Sequence, residues 1–420
     1  PLQVQLTTAT SLKGGASGTI GLSATGTSCG SNCSSYTYNT TVVLTETPGA
    51  GYYFAGWSGD CTGFGTTCIL KMNTAKSVTA TFSPANYVFV TSTTVVAGAL
   101  AGMGVNGDPL DAADTICNTR AAAGGLSGHY VAFLSTSTVN ANSRFGSARG
   151  WIRPDGKPFA DLAQQAGSGA VLYPPRITEA KNDVSGSTVT GLSGSVNGTF
   201  QNATCSDWTS LTGRSMAGDP SGSLWANDGS VANCSAAFRL YCFGTDYSAV
   251  LTYPKASGRL AFASSDAFVL SSSTNIASAD AICASEASAN GLPGTYLALL
   301  ATTSASAASR FDATGAPWVR TDGIPIVTTA AQLFANSGNL LAGIDVAADG
   351  VTREDGWDSW GGSLDINTAG SNGDCMSWSD TLNSDTGFTG LIGSTVGTKF
   401  FSASGAGCDF TGGKLYCLQK

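Results

Sequence analysis

The chain has 420 residues, 42% of them apolar and only 11% charged, with a net charge of −8. That length predicts about two to three domains, with enough apolar material for a core in each. Lys and Arg total only 20 and form no basic run, which argues against a nucleic-acid partner. No stretch of about eighteen apolar residues occurs, so no membrane span is expected.

Twelve cysteines fall four to each third of the chain: 29, 33, 61, 68; 117, 205, 234, 242; 283, 375, 408, 417. An even and evenly spread set predicts disulfides and an oxidising compartment. A single His and the absence of paired C-x-x-C knuckles argue against zinc. The start at Pro1 rather than Met is read as the mark of a removed leader, so the expected location is extracellular or cell-surface.

Residues 1–84 read as a β-rich unit. Leu2-Gln-Val-Gln-Leu, Thr41-Val-Val-Leu-Thr-Glu and Ser77-Val-Thr-Ala-Thr-Phe alternate like strands, and Pro48-Gly-Ala-Gly is a turn. Thr45 to Pro48, Phe54, Gly56-Trp57-Ser58-Gly59, Met72 and Val78-Thr-Ala-Thr-Phe82 resemble the divergent internalin B-repeat-like modules of bacterial surface proteins. The resemblance implies a small spacer or stalk. The short spacings point to local bridges 29–33 and 61–68, and Trp57 is expected in the core rather than on a ligand platform.

The remaining sequence is a duplication. Cys117 and Cys283, Asp114 and Asp280, and Arg144 and Arg310 share one offset of 166 positions, which marks a repeated domain: 87–243 and 259–420, joined by Gly244 to Gly258. Each copy opens with a strand, Tyr87-Val-Phe-Val-Thr or Leu260-Ala-Phe-Ala-Ser. An Ala-rich helix follows, with Asp111 or Ser278 as the expected N-cap and Gly124 or Asn290-Gly291 as its stop. Its Cys faces inward with Ala113. A short apolar strand comes next, Tyr130-Val-Ala-Phe-Leu or Tyr296-Leu-Ala-Leu-Leu. Then come Ser-Arg-Phe, Trp-x-Arg-x-Asp-Gly with a hairpin-type turn, an irregular Gly/Ser/Asn/Asp-rich region holding Cys205-Ser-Asp-Trp208 or Cys375-Met-Ser-Trp378, and a final Leu-Tyr-Cys strand.

Spacing alone allows three cysteine connectivities in each copy. The helix-borne first Cys, the two middle Cys and the terminal strand Cys resemble the C-type-lectin-like fold, closest to its endostatin-like branch and to bacterial relatives with Gly-Leu-x-Gly-x-Tyr, Trp-x-Arg-x-Asp-Gly and Leu-Tyr-Cys motifs. That resemblance implies bridges Cys117–Cys242 with Cys205–Cys234, and Cys283–Cys417 with Cys375–Cys408. The fold class is therefore α+β: a small β-rich N-terminal module followed by two disulfide-stabilised C-type-lectin-like domains.

Calcium-dependent sugar sites of that fold use Glu-Pro-Asn or Gln-Pro-Asp and then Trp-Asn-Asp. Neither is intact, although Trp225-Ala-Asn227-Asp228 stands shortly before Cys234. Trp225, Asn227 and Asp228 are therefore ligand candidates against a simple turn. Trp357 and Trp360 have no counterpart in the other copy and are candidates for an exposed contact surface. Two acidic stretches offer oxygen ligands to calcium as the one candidate cofactor: Asp345 to Asp358, and Asp365 to Asp374 with Asp365, Asn367 and Asp374 as the ligand set. Solvated turns are the competing account. The duplicated Arg144, Arg153, Arg310 and Arg320 are expected to pair with Asp114, Asp280 or turn carbonyls. The duplicated Trp151, Trp208, Trp318 and Trp378 are expected in cores.

A repeated catalytic triad is excluded, because Thr295 stands where the first copy has His129. Only four Glu occur, at 46, 179, 286 and 354, and no two are near in sequence. The expected function is non-enzymatic: a structural or adhesive protein, a subunit of a fibre, sheath or adhesin, with other copies of itself or surface proteins as partners. The Pro1-Leu-Gln-Val-Gln-Leu stretch is a candidate for pairing with a neighbour's sheet edge, against pairing within its own domain. The alternative is a glycan-binding lectin using loops 176–235 and 345–408, and a hydrolase would need an acid pair in the same loops.

Overall fold

The computed structural model describes residues 2–13, 17–49, 52–63, 65–104, 107–184, 188–189 (backbone only), 203–226, 231–253, 255–335, 339–352, 358–370 and 373–420. It forms two units. One comprises Pro1–Gly167, Pro175–Gly218 and Gly229–Ala256, and the other Ser168–Pro174, Asp219–Asp228 and Ser257–Lys420. Two short segments of the 87–243 copy thus belong to the second unit. There the Ser221 carbonyl accepts from Thr395 N at 2.9 Å, and Arg320 Nη1 donates to the Val171 carbonyl at 3.4 Å.

In the first unit the chain forms eight strands: β1 Gln3–Leu12, β2 Gly18–Leu22, β3 Thr27–Gly30, β4 Cys33–Thr37, β5 Thr41–Pro48, β6 Tyr52–Gly59, β7 Thr67–Lys71 and β8 Lys76–Pro84, with the alternation of buried and exposed residues clearest in β5 and β7. They build two sheets, ordered β3-β4-β1-β8-β6 and β2-β5-β7. Leu6, Val42, Leu44, Trp57, Leu70, Met72, Val78 and Phe82 share their core. Trp57 is buried, and its indole donates to the Gly65 carbonyl at 2.8 Å. Bridges Cys29–Cys33 and Cys61–Cys68 close two local loops. β1 lies inside its sheet, antiparallel to β4 and parallel to β8. Gln3–Thr7 pair with β4 and Leu6–Leu12 with β8, so this strand pairs within its own domain.

The same unit continues with β9 (Asn86–Val90), which pairs antiparallel with Tyr241–Gly244 and parallel with Trp151–Ile152. Tyr241–Gly244 also pairs with Tyr130–Ala132. Packed against this sheet is α1 (Pro109–Ala123), with Ala113, Cys117 and Ala121 buried. The second unit repeats the plan. Tyr416–Gln419 lies between Tyr296–Ala298 and Arg259–Ala263, and Arg259–Ala263 runs parallel to Trp318–Arg320. Its helix is α2 (Ile276–Ala289).

Each helix starts three residues before the expected cap. Asp108 caps α1, accepting from Leu110 N at 2.8 Å, and Asn275 caps α2. Pro109 explains the first: its fixed φ and missing N–H suit the opening helical position. Asp111 and Ser278 lie inside the first turn, where Ser278 completes a capping box with Asn275. Bridges Cys117–Cys242 and Cys283–Cys417 tie each helix to its last strand, and Cys205–Cys234 and Cys375–Cys408 clamp the irregular regions. The helix-to-strand bridges span 125 and 134 residues of sequence. In the chain-entropy account each such bridge stabilises by roughly 5 kcal/mol.

Candidate functional site

The duplicated charges are used inside the fold. Asp114 Oδ1 accepts from Ala132 N at 2.8 Å while Oδ2 accepts from Arg144 Nη2 at 2.6 Å. Asp280 repeats both bonds, with Ala298 N at 2.9 Å and Arg310 Nη2 at 2.6 Å. Burial pushes the Asp114 carboxyl up, and Arg144 opposes it. Arg153 and Arg320 grip the aspartates of their own hairpin turns, Asp155 and Asp322. Arg320 also holds the buried Asp345 at 2.7 Å.

The duplicated tryptophans are buried, and each indole donates to a carbonyl: Trp151 to Gly244 and Trp318 to Gln419, Trp208 to Ser135 and Trp378 to Ala301. Trp208 and Trp378 end an unusual element. Cys205, Ser206, Asp207 and Trp208 have φ of 53°, 53°, 55° and 65°, and Cys375, Met376, Ser377 and Trp378 have 46°, 53°, 55° and 73°. Each is one turn of left-handed helix built without glycine, a conformation costing L-residues roughly 1–2 kcal/mol apiece. A disulfide at its first residue and a buried indole at its last hold each turn in place.

Beside the second turn lies a cavity of about 620 Å³ lined by Thr303, Asp374, Cys375, Met376, Ser384, Asp385 and Thr386. Five of these seven side chains carry a carboxylate or a hydroxyl, and Met376 is 69% exposed. Asp374 is buried and accepts from Thr303 Oγ1 at 2.8 Å. Two residues past the turn, Asp380 is also buried, and its Oδ1 accepts from Leu382 N at 2.9 Å.

Of the residues singled out from sequence as ligand candidates, Asp374 lines this cavity, and the other described ones are not among its lining. Asn227, Asp228 and Trp357 lie outside the described residues, as do Glu354 and Asp355. Trp225 is buried. Trp360, expected at an exposed surface, is instead 0% exposed: it packs against Trp378 and Phe410, and Nε1 donates to the Phe268 carbonyl at 3.1 Å. Of the ligand set Asp365, Asn367 and Asp374, the first two form a single turn, with Asn367 N donating to Asp365 Oδ1 at 2.7 Å and Asn367 Nδ2 to the Phe334 carbonyl at 2.8 Å. Asp374 instead faces Thr303. Among the described residues no three His, Cys, Asp or Glu side chains form a metal-binding group. His129 is 88% exposed, with Nδ1 2.9 Å from Asp246 Oδ1.

Residues 9–86 match the family model of the divergent InlB B-repeat domain. No curated protein matches the chain. No helix among the described residues is long and apolar enough to cross a membrane. The B-repeat module and six disulfides are those of an extracellular protein.

Proposed function

We propose that this is a non-enzymatic structural or adhesive protein of the bacterial cell surface, in which a B-repeat-like spacer carries two disulfide-clamped, C-type-lectin-like domains. The observation that carries the reading is the B-repeat match over residues 9–86, a module that implies surface display. The rest of the chain is compatible with that role. Arg144, Arg153, Arg310 and Arg320 pair with aspartates inside the fold, and the one His is an exposed side chain beside Asp246. The role needs no cofactor. Helix-to-last-strand bridges in both copies support the lectin-like assignment.

Negative-stain electron microscopy of natively purified protein tests the structural role. Filaments or sheets are expected, and separate particles of single-chain size would count against self-assembly. The cavity beside Met376 favours a second reading, glycan binding, because its hydroxyls and carboxylates match the hydrogen-bonding needs of a sugar. A glycan array probed with and without calcium separates the two readings.

A further inference from the structure

The chain that leaves the last strand of the copy 87–243 turns back over the joint between that copy and the B-repeat module. The joint itself is short: β8 ends at Pro84, β9 begins at Asn86, and only the buried Ala85 lies between. Asn86 is 2% exposed, and its side-chain amide is divided between two segments. Nδ2 donates to the Arg149 carbonyl at 2.8 Å and to the Tyr247 carbonyl at 2.7 Å, and Oδ1 accepts from Tyr247 N at 3.0 Å. Farther along, Leu251 N donates to Asp161 Oδ1 at 2.8 Å, and the Thr252 carbonyl accepts from the hydroxyl of Tyr53, a buried residue of β6, at 3.1 Å. Residues 245–252 form no helix or strand, yet the amides of Thr245, Tyr247 and Leu251 each have a fixed acceptor. Gly150 leaves room for them, since a Cβ there would lie 2.3 Å from the Ala249 carbonyl oxygen.

The duplicate copy separates what the sheet needs from what the joint adds. By register Arg259 is the counterpart of Asn86: the two stand opposite Trp318 and Trp151 in equivalent parallel pairings. Arg259 keeps the bonds that belong to the sheet. Its N donates to the Pro317 carbonyl at 3.0 Å, as Asn86 N does to the Gly150 carbonyl at 3.1 Å. Its Nε donates to the Ala316 carbonyl at 2.7 Å, as Asn86 Nδ2 does to Arg149. Its guanidinium then lies over the Trp318 ring, 3.6 Å from the centroid. The two bonds from Asn86 to Tyr247 are therefore an addition, made in the copy that carries the module.

A one-residue connection supplies two soft dihedrals, enough for a module to swing. A second attachment removes that freedom. We propose that residues 245–252 are a strap that fastens the B-repeat module to the copy 87–243, so that the two open as one cooperative body. Because the strap follows Tyr241–Gly244, the module is fastened only once that last strand is in place. The strap stands on the geometry alone. Its use, holding the first duplicated domain in a set orientation on its spacer, rests on the surface-display reading, which electron microscopy tests separately.

The test is native-state hydrogen exchange of the full, oxidised chain across a urea series, read by mass spectrometry of peptides from β5, β9 and residues 245–253. In the parent the strap amides are expected to exchange at least about a hundredfold more slowly than a free chain, and β5 and β9 to lose protection at the same urea concentration. Tyr53→Phe removes only the hydroxyl. It is expected to speed exchange in the strap about tenfold, the effect of one buried hydrogen bond, and to let β5 open at lower urea than β9. Asn86→Ala is expected to do both more strongly, and Tyr53→Phe decides the matter if that variant does not fold. Free-chain exchange of the strap in the parent would overturn the proposal. So would separate opening of β5 and β9 in the parent, or a Tyr53→Phe variant whose strap exchange and opening match the parent.

Discussion

Asp207 and Asp374 support equivalent left-handed turns from opposite ends. In the first unit the turn is preceded by Thr204, and its third residue is Asp207. That carboxylate accepts from Ser137 N at 2.7 Å, Ser137 Oγ at 2.6 Å and Thr204 Oγ1 at 3.0 Å. In the second unit the hydroxyl and the carboxylate have traded places. Asp374 precedes the turn and accepts from Thr303 Oγ1 at 2.8 Å, and Ser377, at the third position, accepts from Thr303 N at 3.2 Å. Ser137 and Thr303 are 166 positions apart, like the other duplicated pairs. A left-handed turn of L-residues persists only where its surroundings over-determine it. Here the fixed requirement is one carboxylate and one hydroxyl bracketing the turn, with a Ser or Thr to meet them.

The strain in these turns is testable at the residues that make no compensating bond through their side chains. Ser206 and Met376 are exposed and sit at φ of 53°. Glycine adopts that conformation without a Cβ penalty. Ser206→Gly and Met376→Gly are each expected to stabilise the protein by about 1 kcal/mol in chemical denaturation, after the entropic cost of glycine. Ser377→Gly, which relieves the same strain but removes the hydroxyl that meets Thr303, is expected to gain nothing or to destabilise. Equal destabilisation by all three would show that the turns are not left-handed.

Much of the second and third domains was readable because the sequence contains them twice. The recurrence of Asp114, Arg144 and Cys117 at one offset marked them as a structural set before any contact was known. The left-handed turns were not readable, since neither Cys-Ser-Asp-Trp nor Cys-Met-Ser-Trp contains the glycine that normally signals positive φ. What holds them is tertiary: a disulfide, a buried indole and a hydroxyl from a loop some seventy residues away. Trp360 was misread for the opposite reason. Lack of a counterpart in the other copy pointed to a surface role, but the second unit uses this side chain to fill a core shared with Trp378 and Phe410. The helix starts were missed because Asp111 is as good a cap as Asp108 until Pro109 is given its weight.

Arg144 and Arg310 join a helix to the segment following the next strand through one carboxylate. Removing the cation leaves a half-buried aspartate whose other oxygen is still needed by a strand amide. Arg144→Ala and Arg310→Ala are each expected to cost roughly 3 kcal/mol, the range for breaking such a pair from one side. Adding Asp114→Asn to Arg144→Ala is expected to recover part of that loss, because it removes the uncompensated charge. A double-mutant cycle in urea measures the coupling, and strictly additive effects would mean that the pair contributes no interaction of its own.

Asp155 makes the first unit sensitive to acid. Burial alone would raise its pKa, but the Arg153 and Lys157 charges outweigh burial and hold it at about 2. The folded value lies below the unfolded value near 4, so the contribution is present above about pH 4 and is lost as the pH falls towards 2. Asp155→Asn is expected to lower stability by about 2–3 kcal/mol at neutral pH, with the difference from the parent shrinking between pH 4 and pH 2. A difference that stays constant across that window would assign the loss to packing or to hydrogen bonds rather than to charge.

Glu46 carries the opposite sign. On β5 it follows Val42 and Leu44 on the inward face, is only 9% exposed, and leaves Oε2 without a hydrogen-bond partner. Burial pushes its carboxyl above the usual range, so the folded B-repeat module binds a proton more readily than the unfolded chain does. Stability from this group is therefore fully present below the unfolded pKa of about 4.3 and is lost as the pH rises through the folded value. Glu46→Gln keeps the shape and removes the titration, so it is expected to raise the stability of the module at pH 7 by about 1 kcal/mol and to match the parent below pH 4. Thermal unfolding of both proteins from pH 3 to pH 8 checks this. If Glu46→Gln is less stable than the parent at neutral pH, the carboxylate has a cationic or amide partner, and its burial is a paired one.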